Sequence, residues 1–424
     1  MNLFQLFNKL KEINLKDDLS RLEQADILLF CHDANRSITF NRKAYSPLID
    51  SVRDKLEAAG LKCISIALPF SRLVSQIAHG DVIATNKSYL FFLIKNKINK
   101  KLKIQLFEKS NFYTEILRKT NARLIITIGA PDSLSIAAHT LGVLIVELLH
   151  GIGYDEPMWG WQHKSFMNIP KAILSLDNIS SEGFSPLLQK GVTIYTIPHP
   201  FLTRYLPKNK HLLPDEWLFS GLQLCKYRKV ILVTLQWAYA GDHGEHVQFK
   251  NILDNGLFFP QIEEIIQNNH DVFWLFRLHP LQLRNPRYRR LIDYLENFVS
   301  RYSNCEWNQA SHLPYPSVVM LCSGNIGMSS QSCYDAAAMG VTSLMLCPTV
   351  QPGNIHGNWF IDLVEEGYVT KALPNLDVIN DWVDRIEPKQ PRLSNLEDDA
   401  AWEDALQWML RESGLNSKVQ SHHE

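Results

Sequence analysis

Val272-Phe-Trp-Leu-Phe-Arg277-Leu278-His279-Pro280 is the stretch on which the fold turns. Its apolar run does not alternate with polar residues, so the strand it forms is covered on both faces, as strands of parallel sheets are. The run stops at a charged and polar turn. Before it lie a helical pattern over Phe258–Asn268 and a second apolar run, Lys229-Val-Ile-Leu-Val-Thr-Leu235. Strand, helix and strand in that order require a crossover and a parallel pair. Downstream the pattern continues with a helix over Pro286–Tyr302, N-capped by Asn285, and a strand at Ser317-Val-Val-Met-Leu-Cys322. A helix at Ser332–Met339, a strand at Thr342–Cys347 and late helices at Asp377–Ile386 and Glu397–Glu412 follow.

The same alternation occupies the first half. Ala25–Cys31, Lys62–Leu68, Arg123–Gly129, Val143–Leu149, Ala172–Leu176 and Thr193–Ile197 read as buried strands. Ser46–Ala59 reads as a helix closed by Gly60, and Met1 to Gln24 as an amphipathic helix capping the first domain. Leu202–Arg228 is polar, proline-bearing and aperiodic. The expectation is therefore α/β, with two Rossmann-like domains facing a cleft: an acceptor-side domain at 1–205, a linker at 206–228, a nucleotide-sugar domain at 229–380, and helices at 381–424 that pack back on the first domain.

The totals exclude several classes. With 424 residues, 46% hydrophobic and 21% charged, the chain can bury two cores. A formal net charge of −1 gives no global field for nucleic acid, and no aromatic RNA-binding motif accompanies its basic stretch. Seven scattered cysteines without a CxxC pair read as reduced, buried thiols of a cytoplasmic protein. There is no secretory signal and no apolar run of membrane-spanning length.

In an open parallel sheet, ligands bind beyond the C-terminal ends of the strands. Four segments there carry chemistry. Arg277-Leu278-His279-Pro280 offers a guanidinium fork and an imidazole N–H to phosphate, with Pro280 stiffening the turn. The small-residue stretch from Ser323 to Asp335 sets Ser329 and Ser330 at a helix start, with Asp335 placed for a ribose or base. In the first domain, Glu147-Leu-Leu-His150-Gly151-Ile-Gly-Tyr-Asp155-Glu156 exposes His150, Asp155 and Glu156 as candidate bases, with Trp159, Trp161, Gln162 and His163 as a candidate sugar-stacking wall. Finally, Thr234-Leu-Gln236 leads to Asp242, a candidate nucleophile or base, although a solvated loop acid is the simpler reading and the one favoured. His243, Glu245 and His246 match no standard metal spacing, so no metal is expected.

Taken together, these residues resemble the GT-B glycosyltransferases. The nearest groups are bacterial surface-polysaccharide transferases with cytidine-linked donors: capsule and O-antigen Kdo transferases, polysialyltransferases and CDP-glycerol glycerophosphotransferases. His150-Gly151, His279-Pro280, and Ser329-Ser330 with Asp335 carry the resemblance. It implies that His279 and the serines hold donor phosphate, that a first-domain histidine or acid acts on the acceptor, and that no cofactor is needed beyond the donor substrate. Pro157 after Asp155-Glu156 departs from the polysialyltransferase pattern, and Leu149 before His150-Gly151 from the glycerophosphotransferase pattern. The resulting expectation is transfer of a sugar, Kdo from CMP-Kdo foremost, to a growing surface polysaccharide or lipopolysaccharide. A CDP-glycerol-type phosphotransferase or a sialyltransferase is the alternative. A UDP-sugar 2-epimerase and a non-catalytic glycan-binding module are more distant ones. The lysines from Lys95 to Lys109, interleaved with Ile98 and Leu102, read either as a solvated face or as a contact with the inner face of an anionic membrane.

Overall fold

The computed structural model describes residues 15–71, 77–101, 108–239, 249, 251–392 and 399–416. The chain divides into two compact units: residues up to Arg204 with those from 395 onward, and Tyr205–Ser394.

In the first unit, β1 (Ile27–Cys31) is followed by a short antiparallel hairpin, β2 (Ile38–Phe40) and β3 (Lys43–Tyr45). The remaining strands are β4 (Cys63–Ala67), β5 (Leu124–Thr127), β6 (Leu144–Leu148), β7 (Ala172–Ser175) and β8 (Thr193–Thr196). Six of them form one parallel sheet in the order β4-β1-β5-β6-β7-β8. The main strands β1, β4, β5, β6 and β7 are buried at every position, which is why they read as largely apolar runs. The helix Asp399–Ser413 closes this unit: Trp408 packs on Tyr195 at 5.2 Å between ring centroids, and the Lys55 ammonium lies 4.9 Å from the Trp402 ring.

The second unit repeats the plan with β9 (Lys229–Thr234), β10 (Val272–Arg277), β11 (Cys305–Glu306), β12 (Gly324–Gly327), β13 (Thr342–Met345) and β14 (Val369–Lys371). Their order is β11-β10-β9-β12-β13-β14, all parallel. The helix Leu376–Arg385 belongs to this unit. Its last carbonyls, together with that of Ile386, accept from the Lys229 ammonium at 2.8 Å, a cation where the helix dipole is negative.

The expected α/β class with two parallel sheets is borne out, but one strand moves. Ser317–Cys322 does not form a strand. Tyr315–Val319 is helical, started by Pro316 in its first turn, and the strand is the next segment, Gly324-Asn-Ile-Gly327. A strand built from two glycines and an asparagine escapes a reading based on apolar runs. It holds its central place because Asn325, fully buried, donates to the Ser343 hydroxyl at 3.0 Å, and because Gly324 leaves room for Trp382 and Ile386, which a Cβ would strike. The Pro286–Tyr302 helix is also interrupted. A 3-10 turn at Pro286–Tyr288 precedes the α-helix Arg289–Val299, with the Asn285 side chain accepting from the Arg287 amide as the expected cap. The Met1 to Gln24 helix lies mostly outside the described residues, and its remainder contains a 3-10 turn at Leu19–Arg21. Among the cysteines, five are buried thiols, whereas Cys225 is exposed and Cys305 half-buried, a correction to the expectation that all are internal.

Candidate functional site

Each sheet reverses its strand order once, and the loops on either side of a reversal spread apart to leave a crevice at the strand C-termini. In the second unit the reversal lies between β9 and β12. Across it the Gln236 side-chain Oε1 accepts from the Ser329 backbone amide at 2.7 Å, so the loop after β9 fixes the loop after β12. Ser329 is buried and its hydroxyl is shared with Tyr239 at 2.8 Å, which makes it part of the frame. Ser330 is the serine that presents a donor. Its oxygen accepts from the Ser332 amide and hydroxyl at 3.2 and 2.9 Å, which leaves its own hydrogen unassigned. The backbone amides of Ser330 and Gln331 have no acceptor among the described residues.

His279 stands one strand away, after β10. Its Nδ1 accepts from the Leu281 amide at 3.1 Å, and Gln282 accepts from the His279 amide at 2.8 Å, so the residue caps the short helix Pro280–Arg284 reciprocally. Burial, with help from the nearby Arg277 charge, pushes its pKa down to about 4. The ring is therefore neutral at physiological pH. With Nδ1 committed as acceptor, its proton sits on Nε2. His279 is thus a neutral N–H donor, with no protein acceptor for Nε2 among the described residues.

Arg277 is employed differently from expectation. One terminal nitrogen donates to the carbonyls of Ala310 and Leu313, the latter at 2.8 Å, and the guanidinium packs over Tyr315 at 5.4 Å. It ties the loop after β11 to the end of β10 instead of extending a free fork. Burial lowers its pKa to about 10, which leaves it charged. That charge lies near Asp335, whose carboxyl burial raises to about 7 against the Arg277 attraction. Asp335 has no hydrogen-bond partner among the described residues, so it is an acceptor in search of a donor.

The His-Pro pair alone does not define such a site. After β8, His199-Pro200 makes the same kind of cap: Nδ1 accepts from the Phe201 and Leu202 amides at 3.2 Å, and burial lowers the pKa to about 4. What distinguishes His279 is its place beside a strand-order reversal with unpaired donors around it.

In the first unit the reversal lies between β1 and β5, and it is marked by His32. Its ring lies over Gly129, whose φ of +77° makes the turn after β5. Sequence reasoning missed His32, although it directly follows the first apolar run and the strand-end rule points to it. His150 is solvent-accessible and bonded to the Tyr154 hydroxyl at 3.1 Å. Burial lowers the pKa of both histidines, and for His150 the His32 charge adds to the effect. Asp155 and Glu156 are exposed and have no ion-pair partner among the described residues. Trp161 is not part of a sugar-facing wall: it is 1% exposed in a core with Ile169, Ile173, Phe184 and Leu187. Trp159, two residues earlier, is 40% exposed and stacks toward His150 at 5.7 Å. His163 is exposed and Gln162 half-buried. Asp242, His243, Glu245 and His246 lie outside the described residues, and no group of metal-ligating side chains occurs among the described ones.

Gly183 holds this loop in place. A Cβ on it would fall 2.3 Å from the Tyr154 carbonyl oxygen and 2.7 Å from the Asp155 carbonyl carbon, contacts with backbone that cannot swing away. Gly183→Ala is expected to destabilise the protein by about 1–3 kcal/mol and to disturb the Tyr154–His150 pair. Chemical denaturation checks the first effect, and the histidine NMR signals the second.

No protein-family model matches the chain, and no curated protein matches it. Solved structures do. The S. aureus MnaA–UDP co-structure superposes with a TM-score of 0.52 at 13% identity, covering 92% of this chain and 96% of that one. The wall teichoic acid polymerase TagF gives 0.51 at 10% identity, covering 96% and 92%. A putative UDP-N-acetylglucosamine 2-epimerase from Listeria monocytogenes gives 0.50 at 10% identity, covering 90% and 97%. These likenesses establish the fold: two Rossmann-like units of the GT-B type.

Proposed function

We propose that the chain is a nucleotide-donor transferase that moves a sugar or sugar-like unit to a surface-glycan acceptor. The observation that carries this reading is the state of His279: neutral, with Nδ1 consumed by its own helix and Nε2–H without an acceptor among the described residues, beside the β9–β12 reversal. A departing nucleotide phosphate gains negative charge in the transition state, and fixed neutral donors stabilise it without reorganising. Ser330 Oγ–H and the Ser330 and Gln331 amides supply further donors. Asp335 suits a ribose hydroxyl, and Pro280, Gln236, Arg277 and Ser329 position the set. On the first unit His150, uncharged near neutral pH, is the proposed base for an acceptor hydroxyl, with Asp155 and Glu156 in reserve. Asp242 stays a proposal from sequence alone. The cytidine-linked donor suggested by the sequence resemblance is the first to test.

The fold is shared by an epimerase and a polymerase, so turnover has to separate the two chemistries. The protein is incubated with CMP-Kdo, CMP-sialic acid, CDP-glycerol and UDP-N-acetylglucosamine, each with and without a glycan extract, and free nucleotide is measured. Acceptor-dependent nucleotide release is the expected result. Epimerised sugar from UDP-N-acetylglucosamine without acceptor would replace the transfer reading with the epimerase one. Glycan binding without nucleotide release from any donor would leave a binding module.

A further inference from the structure

The first turns of the helix Asn86–Lys101 are anchored. The Asn86 side-chain amide donates to the Ser71 carbonyl at 2.6 Å, the Ser88 amide to Asp17 at 2.7 Å, and Tyr89 meets the Phe112 ring edge at 5.0 Å. Phe92 leans on Phe112 at 5.9 Å, whereas three other apolar side chains turn outward. Phe91, Ile94 and Ile98 are 60%, 41% and 51% exposed. Their spacing of three and four residues puts them on one helix face. Such a stripe on a water-facing helix is costly to leave uncovered.

Its charge says what covers it. The sixteen residues contain Lys87, Lys95, Lys97, Lys100 and Lys101 and no Asp or Glu, in a chain whose net charge is −1. The positive charge is therefore concentrated locally. We propose that this helix lies along an anionic lipid bilayer, with Phe91, Ile94 and Ile98 in the headgroup–acyl boundary and the Lys87 and Lys97 stems reaching back to the lipid phosphates. No helix among the described residues is long and apolar enough to cross a membrane, so the contact is lateral. Aromatic and branched apolar side chains bounded by lysines fit a bilayer interface, whereas an acidic protein partner supplies charge but no matching apolar layer. The inference does not depend on the nature of the transferred group, and the donor site in the second unit stands or falls separately.

The full chain is sedimented with vesicles of phosphatidylcholine alone and with about one-third phosphatidylglycerol. Binding to the anionic vesicles only, weakened by salt raised to about 0.5 M, is expected. Lys97→Gln lowers the partition coefficient about fivefold. The double variant Ile94→Ser, Ile98→Ser lowers it more than about tenfold while circular dichroism and thermal unfolding stay unchanged. Equal binding to both vesicle types, or none to either by a folded protein, overturns the proposal. So does a concentration-dependent dimer, seen by light scattering without lipid and abolished by the same double variant, which would assign the face to a second copy of the chain.

Discussion

Replacing His279 with Asn is expected to lower turnover about 100- to 1000-fold while leaving the fold intact. The two functions of the imidazole separate in this variant. Nδ1 caps the Pro280–Arg284 helix by accepting from the Leu281 amide, and asparagine is a good substitute because its side-chain oxygen caps helices at least as well. Asparagine does not reach where Nε2–H reaches. His279→Ala removes both functions and adds about 1 kcal/mol of instability from the lost cap, so the pair of variants distinguishes donation from capping. His199 provides the internal control. It caps in the same manner after β8, and His199→Asn is expected to leave turnover near that of the unaltered protein. Steady-state rates with saturating acceptor, read beside urea midpoints, check all three.

The second large effect concerns Glu147, a fully buried carboxyl on β6 that accepts from the amides of Gly129 and Ala130. Burial outweighs those two hydrogen bonds and pushes its pKa up to about 8 from the usual 4.5. The folded protein therefore binds a proton that the unfolded chain has released. Stability is full below about 4.5 and is lost as pH rises toward 8. The loss is at most about 5 kcal/mol across that window. Asp335, raised to about 7, adds a smaller slope of the same sign. Glu147→Gln removes the titration but sets an NH2 group against one of the two donating backbone amides, so it is expected to be less stable than the native protein near the acidic end and to lose no further stability as the pH rises. Urea unfolding at stepped pH measures this; an unchanged slope in the variant would show that Glu147 is not the group responsible. Because the Gly129–Ala130 turn lies under His32, the same titration bears on the first unit's strand ends.

The sequence exposes the fold where physics makes it redundant. Strands buried on both faces are largely apolar, so β1, β5, β6, β9 and β10 declare themselves. The strands β11 and β14 are two and three residues long and stay below any periodicity. For β12, burial is met by glycines and a hydrogen-bonded asparagine, which leave no apolar signal. The candidate site is legible to the same degree. His279 and Ser330 follow strands, so the strand-end rule reaches them, and it reaches His32 once applied evenly to both halves. The use of Arg277 is not legible, because its carbonyl partners lie 33 and 36 residues further along the chain and meet it only after folding. Trp159 and Trp161 differ in fate because a pair of left-handed residues, Trp159 at φ +59° and Gly160 at φ +65°, turns the chain between them. The buried state of Glu147 likewise follows from the sheet it sits in and not from its neighbours in sequence.

The central claim is that the β9–β12 reversal holds a nucleotide phosphate through His279. Titration calorimetry of the native protein and of His279→Asn with CMP, CDP, UDP and GDP tests it most directly. The expected result is that one nucleotide binds the native protein preferentially and that the same nucleotide binds the folded variant at least about tenfold more weakly, the loss of one charge-assisted hydrogen bond. Equal nucleotide affinity in both proteins, or no nucleotide binding by either, would contradict it.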